Sequence, residues 1–494
     1  MKKSIKLLAL PVVIASLAAA GAVGGTFAYF TNAQKSSVSV KSAKVAFELE
    51  ASDLHVFSLD IEQQNGLFQN GGTAELDGTA VRLVNVTPGD KVVFNAKVVN
   101  KSTVKTQYLF YTSFANEVKG EQEGAKFLSQ GGLEIKATDI NDPDVAVPTE
   151  VQLLDAEQNP DNNEFQVTIE MPVDRGNEFQ DASADIILGV SAIQANGPRL
   201  VASYQDIREQ LNSGETEIML AGDLTLQPDE TIHLGTGVTL DCGGHRISAL
   251  DRNYNLFYVD GADVTIANAN IVTDAALGIA LDGHGVTLKN STITANPEDS
   301  YYFFYNRGLG AIADDIVIEN TTIDGFWATI YGDAACIFTT DADVIIKNSE
   351  INSEAYTLNT GSPAGNLLVE NSVIRGWTSY AGYQSVMVKD STFKATNHGS
   401  AKYNFIRAYN DSTFENCKFV NDGPDGIVFE VVNNAKATFK LCLYAADGET
   451  FVAMNAEDRA SYAFVTLNNS GYESVTDGTS VFIDDVELTA GDFQ

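Results

Sequence analysis

The chain has 494 residues, 44% of them hydrophobic, and a formal net charge of −35 at pH 7. A chain of this length and composition can bury the cores of two domains, which excludes wholesale disorder. A surface this acidic repels phosphate backbones and anionic membranes, so nucleic acid is not an expected partner. Acidity by itself indicates solubility and points to no particular ligand.

Residues 1–28 have the pattern of a secretory signal peptide. A basic start precedes an apolar run over residues 7–23, and the small residue Ala28 ends the segment. We expect cleavage between Ala28 and Tyr29. An uncleaved anchor is the alternative, but the run is short for a membrane span and Pro11 interrupts it. The processed protein is therefore expected outside the cell and not in the membrane.

The next region, residues 29–197, alternates apolar and polar residues in short segments separated by turn residues. The segments are residues 45–49, 81–84, 91–99, 107–112, 165–171 and 185–193. Strands of this kind without intervening helices predict an antiparallel β-sandwich.

Three motifs resemble those of the SipW-dependent TasA/camelysin family of secreted proteins, and the resemblance covers residues 20–197. They are Gly-Thr-Phe-Ala-Tyr-Phe-Thr at residues 25–31, the hairpin formed by residues 86–92 and 98–102, and the strand at residues 190–195. The resemblance implies a jelly-roll sandwich that polymerises into biofilm-matrix fibres on a Gram-positive cell surface. Some relatives are labelled metallo-endopeptidases, but this sequence has no His-Glu-x-x-His, and His55 is the only histidine of the region. A histidine-built zinc site is not expected.

One acidic loop in the sandwich region has oxygen-bearing side chains at the spacing of a cation site. Asp139, Asn141, Asp142 and Asp144 could together hold Ca²⁺, although the glycine and closing glutamate of an EF-hand loop are missing. An acidic turn is the favoured interpretation, and no cofactor is required.

Residues 198–494 have a different organisation. Ser203 is placed as the N-cap of a short helix, on which Tyr204, Ile207 and Leu211 share one face. Eight later segments then follow the pattern V/I/L-x-V/I-x-N-x-x-I/F, with successive fifth positions 19 to 30 residues apart. The fifth positions are Asn268, Asn290, Asn320, Asn348, Asn371, Asp390, Asn416 and Leu441. We expect this column to stack at a turn, with each side-chain amide bonded to its neighbours one strand spacing away, and the next residue of each repeat is small, as a tight turn requires. Each repeat is long enough for one coil of a three-sheet solenoid, and the helix would cover its open end.

This repeat resembles the right-handed parallel β-helix of the pectin-lyase-like superfamily over residues 200–475. The predicted fold class is therefore all-β: a jelly-roll-like sandwich followed by a right-handed parallel β-helix with a short N-terminal capping helix. The resemblance implies the fold without specifying a function, because the same solenoid carries lyases, hydrolases, adhesins and phage spikes.

Candidate catalytic residues are incomplete. Gly-His-Gly at residues 283–285 matches one polygalacturonase motif, and the pair Asp314-Asp315 follows in the next coil, but the Arg-x-Lys motif of those enzymes is missing. Arg375 and Arg407 are the candidate bases for a lyase, without a clear carboxylate cluster beside them. No catalytic residue is assigned.

Aromatic residues gather in the middle coils: Tyr301, Tyr302, Tyr305, Trp327, Tyr331, Trp377, Tyr380 and Tyr383. The sugar-binding candidates among them are Trp327, Tyr331, Trp377, Tyr380 and Tyr383, because exposed rings stack on sugars. Packing of the rings under their own loops is the alternative. Cys417 and Cys442 occupy one column of adjacent coils, within reach of a disulfide, and two reduced thiols are the equal alternative.

The preferred interpretation is a structural or adhesion protein of the cell surface or biofilm matrix. The sandwich would assemble it into fibres, and the β-helix would be a stiff module that binds a polysaccharide or cell-wall glycan. The alternative is a secreted polysaccharide lyase or glycoside hydrolase.

Overall fold

A computed structural model describes most of the chain from Lys44 onward. The described residues are 44–122, 124–147, 150–161, 163–249, 255–273, 277–295, 300, 302–306, 312–332, 342–360, 365–379, 383–395, 406–421, 429–432, 434–467, 478–488 and 490–493. The predicted cleavage site at Ala28 and Tyr29 lies outside them.

The first part of the described chain forms two antiparallel sheets of five strands each. In spatial order one sheet contains Ile61–Gln63, Phe47–Ser58, Asp90–Asn100, Glu164–Glu170 and Glu134–Asp139. The other contains Thr73–Asp77, Ala80–Val84, Ser183–Gln194, Thr106–Val118 and Gln152–Leu154. A short 3-10 helix spans Asn177–Phe179.

The packing of the two sheets follows from alternation of buried and more exposed residues along the strands. In Asp90–Asn100 every second residue is buried, which places Phe94 against a core shared with Phe165 and Ile186. Such alternation gives each sheet one apolar face, and two such faces bury each other as a sandwich. The predicted β-sandwich is confirmed.

The chain passes directly from the sandwich into a solenoid. The strand Ser183–Gln194 ends the sandwich, and Arg199–Val201 is the first solenoid strand. Between them the amide of Gln107 donates to the Pro198 carbonyl over 3.2 Å, and its oxygen accepts from the Leu200 N–H over 3.3 Å. Both bonds hold the connecting segment to the sandwich.

A short α-helix, Tyr204–Asn212, follows as predicted. Ser203 caps it in a capping box with Asp206. Ile207 is buried in the solenoid core, and Tyr204 and Leu211 pack against the same core. The predicted N-cap and apolar face are both confirmed.

The solenoid is built from stacked parallel strands. Its first sheet, the front sheet, contains thirteen strands among the described residues. They are Arg199–Val201, Glu217–Leu220, Thr239–Asp241, Thr265–Ala267, Thr287–Lys289, Ile316–Glu319, Val344–Lys347, Leu367–Glu370, Val386–Lys389, Ser412–Glu415, Lys436–Lys440, Ser480–Ile483 and the antiparallel Val486–Leu488.

Two further stacks complete each coil. The second stack contains Leu224–Leu226, Arg246–Ala249, Asn270–Thr273, Thr292–Ala295, Thr392–Ala395, Lys418–Asn421, Leu443–Ala445 and the antiparallel Val452–Ala453. The third contains Ile232–Leu234, Asn255–Val259, Leu277–Leu281, Tyr302–Asn306, Ile406–Ala408, Phe429–Val431 and Val465–Leu467. Three long strands belong to both stacks and join them: Thr322–Gly332, Glu350–Thr360 and Val373–Ser379. Short 3-10 helices span Arg459–Tyr462 and Ala490–Phe493.

The predicted asparagine column forms the turn between the front sheet and the second stack. Its members all have φ between 46° and 54°, in the left-handed region that asparagine tolerates better than most residues. Their side chains bond from coil to coil, for example Asn371 Nδ2 to Asn348 Oδ1 over 2.8 Å. The predicted stacking of amides is confirmed, and the parallel β-helix with it.

The next residue in each repeat forms a second, buried ladder. The Thr321 N–H donates to Ser349 Oγ over 3.1 Å, and the Ser349 N–H donates to Ser372 Oγ over 3.1 Å. Each hydroxyl in turn donates to the carbonyl two residues before it, as Ser349 does to Lys347 over 2.7 Å. These buried hydroxyls are therefore hydrogen-bonded on the five coils from Ser291 to Ser391, as buried polar groups require.

Leu441 departs from the asparagine column and yields a stability prediction. It has φ 52° and is 70% exposed, so it combines a disfavoured backbone conformation with an apolar side chain in water. We expect Leu441→Asn to raise the free energy of unfolding by about 0.5–1 kcal/mol, because asparagine tolerates this φ. Urea unfolding measures it. Leu441→Ala keeps the backbone penalty and is the matched control; equal stability of the two variants would contradict the argument.

Candidate functional site

A row of aromatic rings crosses consecutive coils at the corner where the second and third stacks join. Neighbouring ring centroids are 6.1 Å apart for Tyr305 and Tyr302, 5.8 Å for Tyr302 and Trp327, and 5.1 Å for Trp327 and Tyr356. Tyr356 and Trp377 follow at 5.5 Å. Most of these pairs meet edge to face, an arrangement that attracts aromatic rings. We call these five residues the aromatic ladder.

Two glycines place the tryptophans in the ladder. Gly325 has φ 87°, and a Cβ there would lie 2.3 Å from the Ala295 carbonyl oxygen, so only glycine fits. Gly376 has φ 122°, just before Trp377. The strand register shifts around both positions, as at a β-bulge. The bulges bend the long strands at the corner and turn each tryptophan onto it.

The predicted sugar-binding residues differ in their exposure to solvent. Trp327 is half-buried and lies in the ladder, as predicted. Trp377 is only 8% exposed, and Tyr383 is 0% exposed inside the core. Both are removed from the predicted contact surface, because a ring that is covered by protein cannot stack on a sugar. The side chain of Tyr331 and the whole of Tyr380 lie outside the described part of the chain.

Sequence reasoning missed Tyr356. It is half-buried and packs between Trp327 and Trp377. The register pairs it with Ala328 and Trp377, and only an alignment of the bulged long strands could have indicated this pairing. The half-buried part of the ladder is Tyr302, Tyr305, Trp327 and Tyr356.

The two candidate lyase bases are engaged in the solenoid wall. Arg407 Nε donates to Glu430 Oε2 over 2.8 Å, and its Nη1 donates to the Tyr409 hydroxyl over 3.1 Å. Burial lowers the pKa of Arg407, but the contacts with Tyr409 and Glu430 outweigh it and raise the pKa above its usual value. An arginine held protonated in this way is a poor base. Arg375 is half-buried and stacks in register between Asn352 and Lys394.

The glycosidase-like motif forms one contact. His284 Nδ1 lies 2.6 Å from Asp314 Oδ2, with both side chains about one third exposed. The second carboxylate, Asp315, instead accepts from the Asp343 N–H over 3.0 Å. One carboxylate binds the backbone of the next coil and the other is paired with histidine, so each already has a partner in the solenoid wall.

The acidic loop is an Asx turn. Asp139 Oδ1 accepts from the N–H groups of Asn141 and Asp142 over 2.7 and 3.2 Å, and Asp142 Oδ1 accepts from Asp144 N–H over 3.2 Å. No group of three or more His, Cys, Asp or Glu able to hold a metal ion occurs within the described ranges. Asp139 and Asp142 thus each use one carboxylate oxygen to bind the loop's own amides, which fits the acidic turn that the sequence favours, and Ca²⁺ binding at the four residues stays a prediction.

Cys417 and Cys442 are free buried thiols at the end of the serine ladder. Each thiol donates to the carbonyl two residues before it, Cys417 to Glu415 over 3.3 Å and Cys442 to Lys440 over 3.4 Å. The hydrogen bond with Cys442, together with burial, raises the pKa of Cys417 far above its usual range. Of the two sequence interpretations, the structure contains the reduced pair, in which the thiols take the place of hydroxyls.

A serine, a histidine and an aspartate meet where the sandwich contacts the solenoid. Ser191 Oγ lies 3.2 Å from His245 Nε2, but His245 Nδ1 lies 3.7 Å from Asp223 Oδ1, beyond a hydrogen bond. Asp223 instead accepts from the Arg246 N–H over 2.9 Å. Ser191 lies inside a regular strand, not on a nucleophile elbow. The three residues therefore form a polar contact between the sandwich and the solenoid, and their geometry is not that of a hydrolase triad.

Removal of the Arg407 side chain would take an ion-pair partner from a buried carboxylate. Glu430 is 0% exposed, so we expect Arg407→Ala to lower the free energy of unfolding by about 3–5 kcal/mol at pH 8. The loss should shrink toward pH 5, because protonation of the buried carboxyl relieves it. Denaturant unfolding at both pH values tests this, with Arg375→Ala as the control. A pH-independent loss would contradict the burial argument.

Comparisons with known proteins identify no family. No family model matches the chain, and no curated protein matches it. Among solved structures, it is similar to the catalytic domain of a GH87 α-1,3-glucanase in complex with nigerose, with 13% identity over 89% of this chain and 98% of that chain and a TM-score of 0.25. At this identity and TM-score the likeness carries no argument about function. No helix among the described residues is long and apolar enough to cross a membrane.

Proposed function

We propose that this protein is a secreted carbohydrate-binding protein of a bacterial surface or biofilm matrix, and that the half-buried part of the aromatic ladder is its glycan-binding site. The observation that carries the proposal is that half-buried rings, those of Tyr302, Trp327 and Tyr356, lie on three successive coils. Parallel strands are about 4.8 Å apart, so the rings repeat along the solenoid axis. A polymer of sugar rings that runs along this axis would meet one aromatic ring after another, with neighbouring ring planes turned by 83° and 63°.

The charge of the molecule favours a neutral glycan. The chain has a net charge of −35, and the exposed acids Asp324, Glu350 and Glu354 lie on the strands that carry the ladder. An anionic polymer such as a polyuronate would be repelled by this surface. The same repulsion, together with the protonated, paired Arg407, makes a polyuronate lyase the weaker alternative.

The sandwich is the candidate assembly module. Its edge strand Ile61–Gln63 exposes Ile61, and Leu59 beside it is 62% exposed. An exposed edge with apolar residues can pair with another chain, which supports the fibre role implied by the resemblance to TasA/camelysin. Electron microscopy of protein that begins at Tyr29 should show ordered filaments. Monomers under all matrix-like conditions would overturn the assembly part and leave glycan binding standing.

Ring removal tests the glycan site. We expect Trp327→Ala with Tyr356→Ala to weaken binding to neutral polysaccharides by at least tenfold, because two adjacent stacking faces are lost. Affinity electrophoresis in gels that contain a neutral α-glucan, a neutral β-glucan or a polyuronate measures it.

The matched control is Tyr258→Ala. Tyr258 belongs to the third stack but lies two coils before Tyr302, where its ring packs on His233. The Tyr258→Ala variant should bind glycan with the same affinity as the unmodified protein. Retardation by the polyuronate alone, or equal loss in the control, would contradict the proposed site.

A further inference from the structure

The outer face of the front sheet carries an apolar stripe. In each strand the residue between two inward-facing residues points outward, and on four consecutive coils it is Val317, Ile345, Leu368 and Met387. Met387 is 36% exposed and the other three are half-buried. Threonine occupies the flanking coils, at Thr287 and Thr413. The stripe is thus a patch with defined ends on a sheet face, and we call these four residues the apolar stripe.

A column of charges runs beside the stripe, two residues further along each strand and on the same face. It has seven members among the described strands: Lys289, Glu319, Lys347, Glu370, Lys389, Glu415 and Lys440. Their signs alternate at every coil. Within the chain this alternation pairs neighbours, with Lys347 Nζ 3.3 Å from Glu370 and Lys389 Nζ 3.8 Å from Glu415.

The centre of the stripe lies between two members of the charge column. The midpoint of the apolar stripe lies between Ile345 and Leu368, on the two coils that carry Lys347 and Glu370. A twofold axis above this midpoint, parallel to the strands and midway between two facing sheets, reverses the order of the coils. It places Ile345 opposite Leu368 of a second copy.

The same axis pairs six of the seven charges with an opposite charge. Lys347 meets Glu370 of the second copy, Glu319 meets Lys389, and Lys289 meets Glu415, while Lys440 falls opposite Ala267.

On the other side of the stripe, Asp343 meets Asn366, so an amide faces the acid. A twofold axis along the solenoid would instead bring Glu319 against Asp315 and Glu415 against Asp411, which are like charges, and would give Lys347 and Asp343 as its one opposite pair. The self-complementarity therefore exists for one orientation, the antiparallel one.

We propose that two copies of this chain bind face to face through the front sheets, antiparallel, with the apolar stripes in contact and the charge columns interleaved. The occupant of the stripe is a second copy because an alternating column is complementary to its own reversal, and such isologous contacts close as dimers. This interface is separate from the sandwich edge and does not depend on glycan binding.

The size of the patch determines how tightly the two copies bind. The patch is six coils high at about 4.8 Å per coil and four residues wide at about 3.3 Å per residue, so it covers on the order of 400 Å² per partner. This is at the low end for specific interfaces, so the dimer is transient and concentration-dependent. Its charge pairs lie near solvent, and salt should weaken it.

Sedimentation velocity of protein that begins at Tyr29 tests the proposal, after filaments are pelleted. We expect a monomer–dimer equilibrium that shifts toward monomer between 50 and 500 mM NaCl. Leu368→Lys should raise the dimer Kd by at least tenfold, because it buries an unpaired cation in the stripe. Thr239→Lys, in the same column outside the stripe, is the matched control and should leave Kd unchanged.

The possible outcomes separate this proposal from the other two. A chain that is monomeric at every concentration at low salt would overturn it, whether or not the variant folds. A dimer that survives Leu368→Lys, in a variant whose thermal unfolding matches that of the control, would also overturn it and place the contact elsewhere. Glycan retardation of Leu368→Lys should be normal, since the aromatic ladder is on another face.

Discussion

The left-handed turn of the asparagine column is the constraint on which the solenoid depends. Each coil must reverse direction at this corner without leaving a buried amide unpaired. Asparagine adopts the required positive φ and bonds to the asparagine above or below it, while the following serine or threonine bonds backbone groups on both sides. Both ladders work only when adjacent coils are in register. The turn therefore sets the register of every strand that follows it.

Register then determines which surfaces exist. Because the same position of each repeat always lies above its counterpart, a residue type repeated in sequence becomes a continuous column in space. Rings on the long strands become the aromatic ladder, and outward aliphatic residues become the apolar stripe. Departures from regularity are equally informative: the glycine bulges at Gly325 and Gly376 occur where the wall turns a corner and where the tryptophans emerge. The functional candidates thus follow from a periodic frame with a few local exceptions.

The sequence predicts most of the frame and little of the site. The asparagine column, its small neighbour and the capping helix are local patterns, so their structure could be predicted residue by residue. Burial of Trp377 and Tyr383 could not be predicted, because the sequence around an aromatic residue in a long coil is the same whether the ring faces the core or the solvent. The approach of Ser191 to His245 joins residues from separate folding units, and nothing in the neighbourhood of either one signals it. Tyr356 needed the alignment of bulged strands, which repeat spacing blurs.

The alternating charge column also limits how this solenoid can change in length. Loss or gain of a single coil would bring Lys next to Lys, or Glu next to Glu, at the new junction, whereas a change of two coils would preserve every opposite pair. The same parity would govern recombination between related chains, since only crossovers an even number of coils apart restore the pattern. The column thus favours a gain of two coils at a time over a gain of one. A solenoid lengthened by duplication would keep alternating charges only if the number of added coils is even.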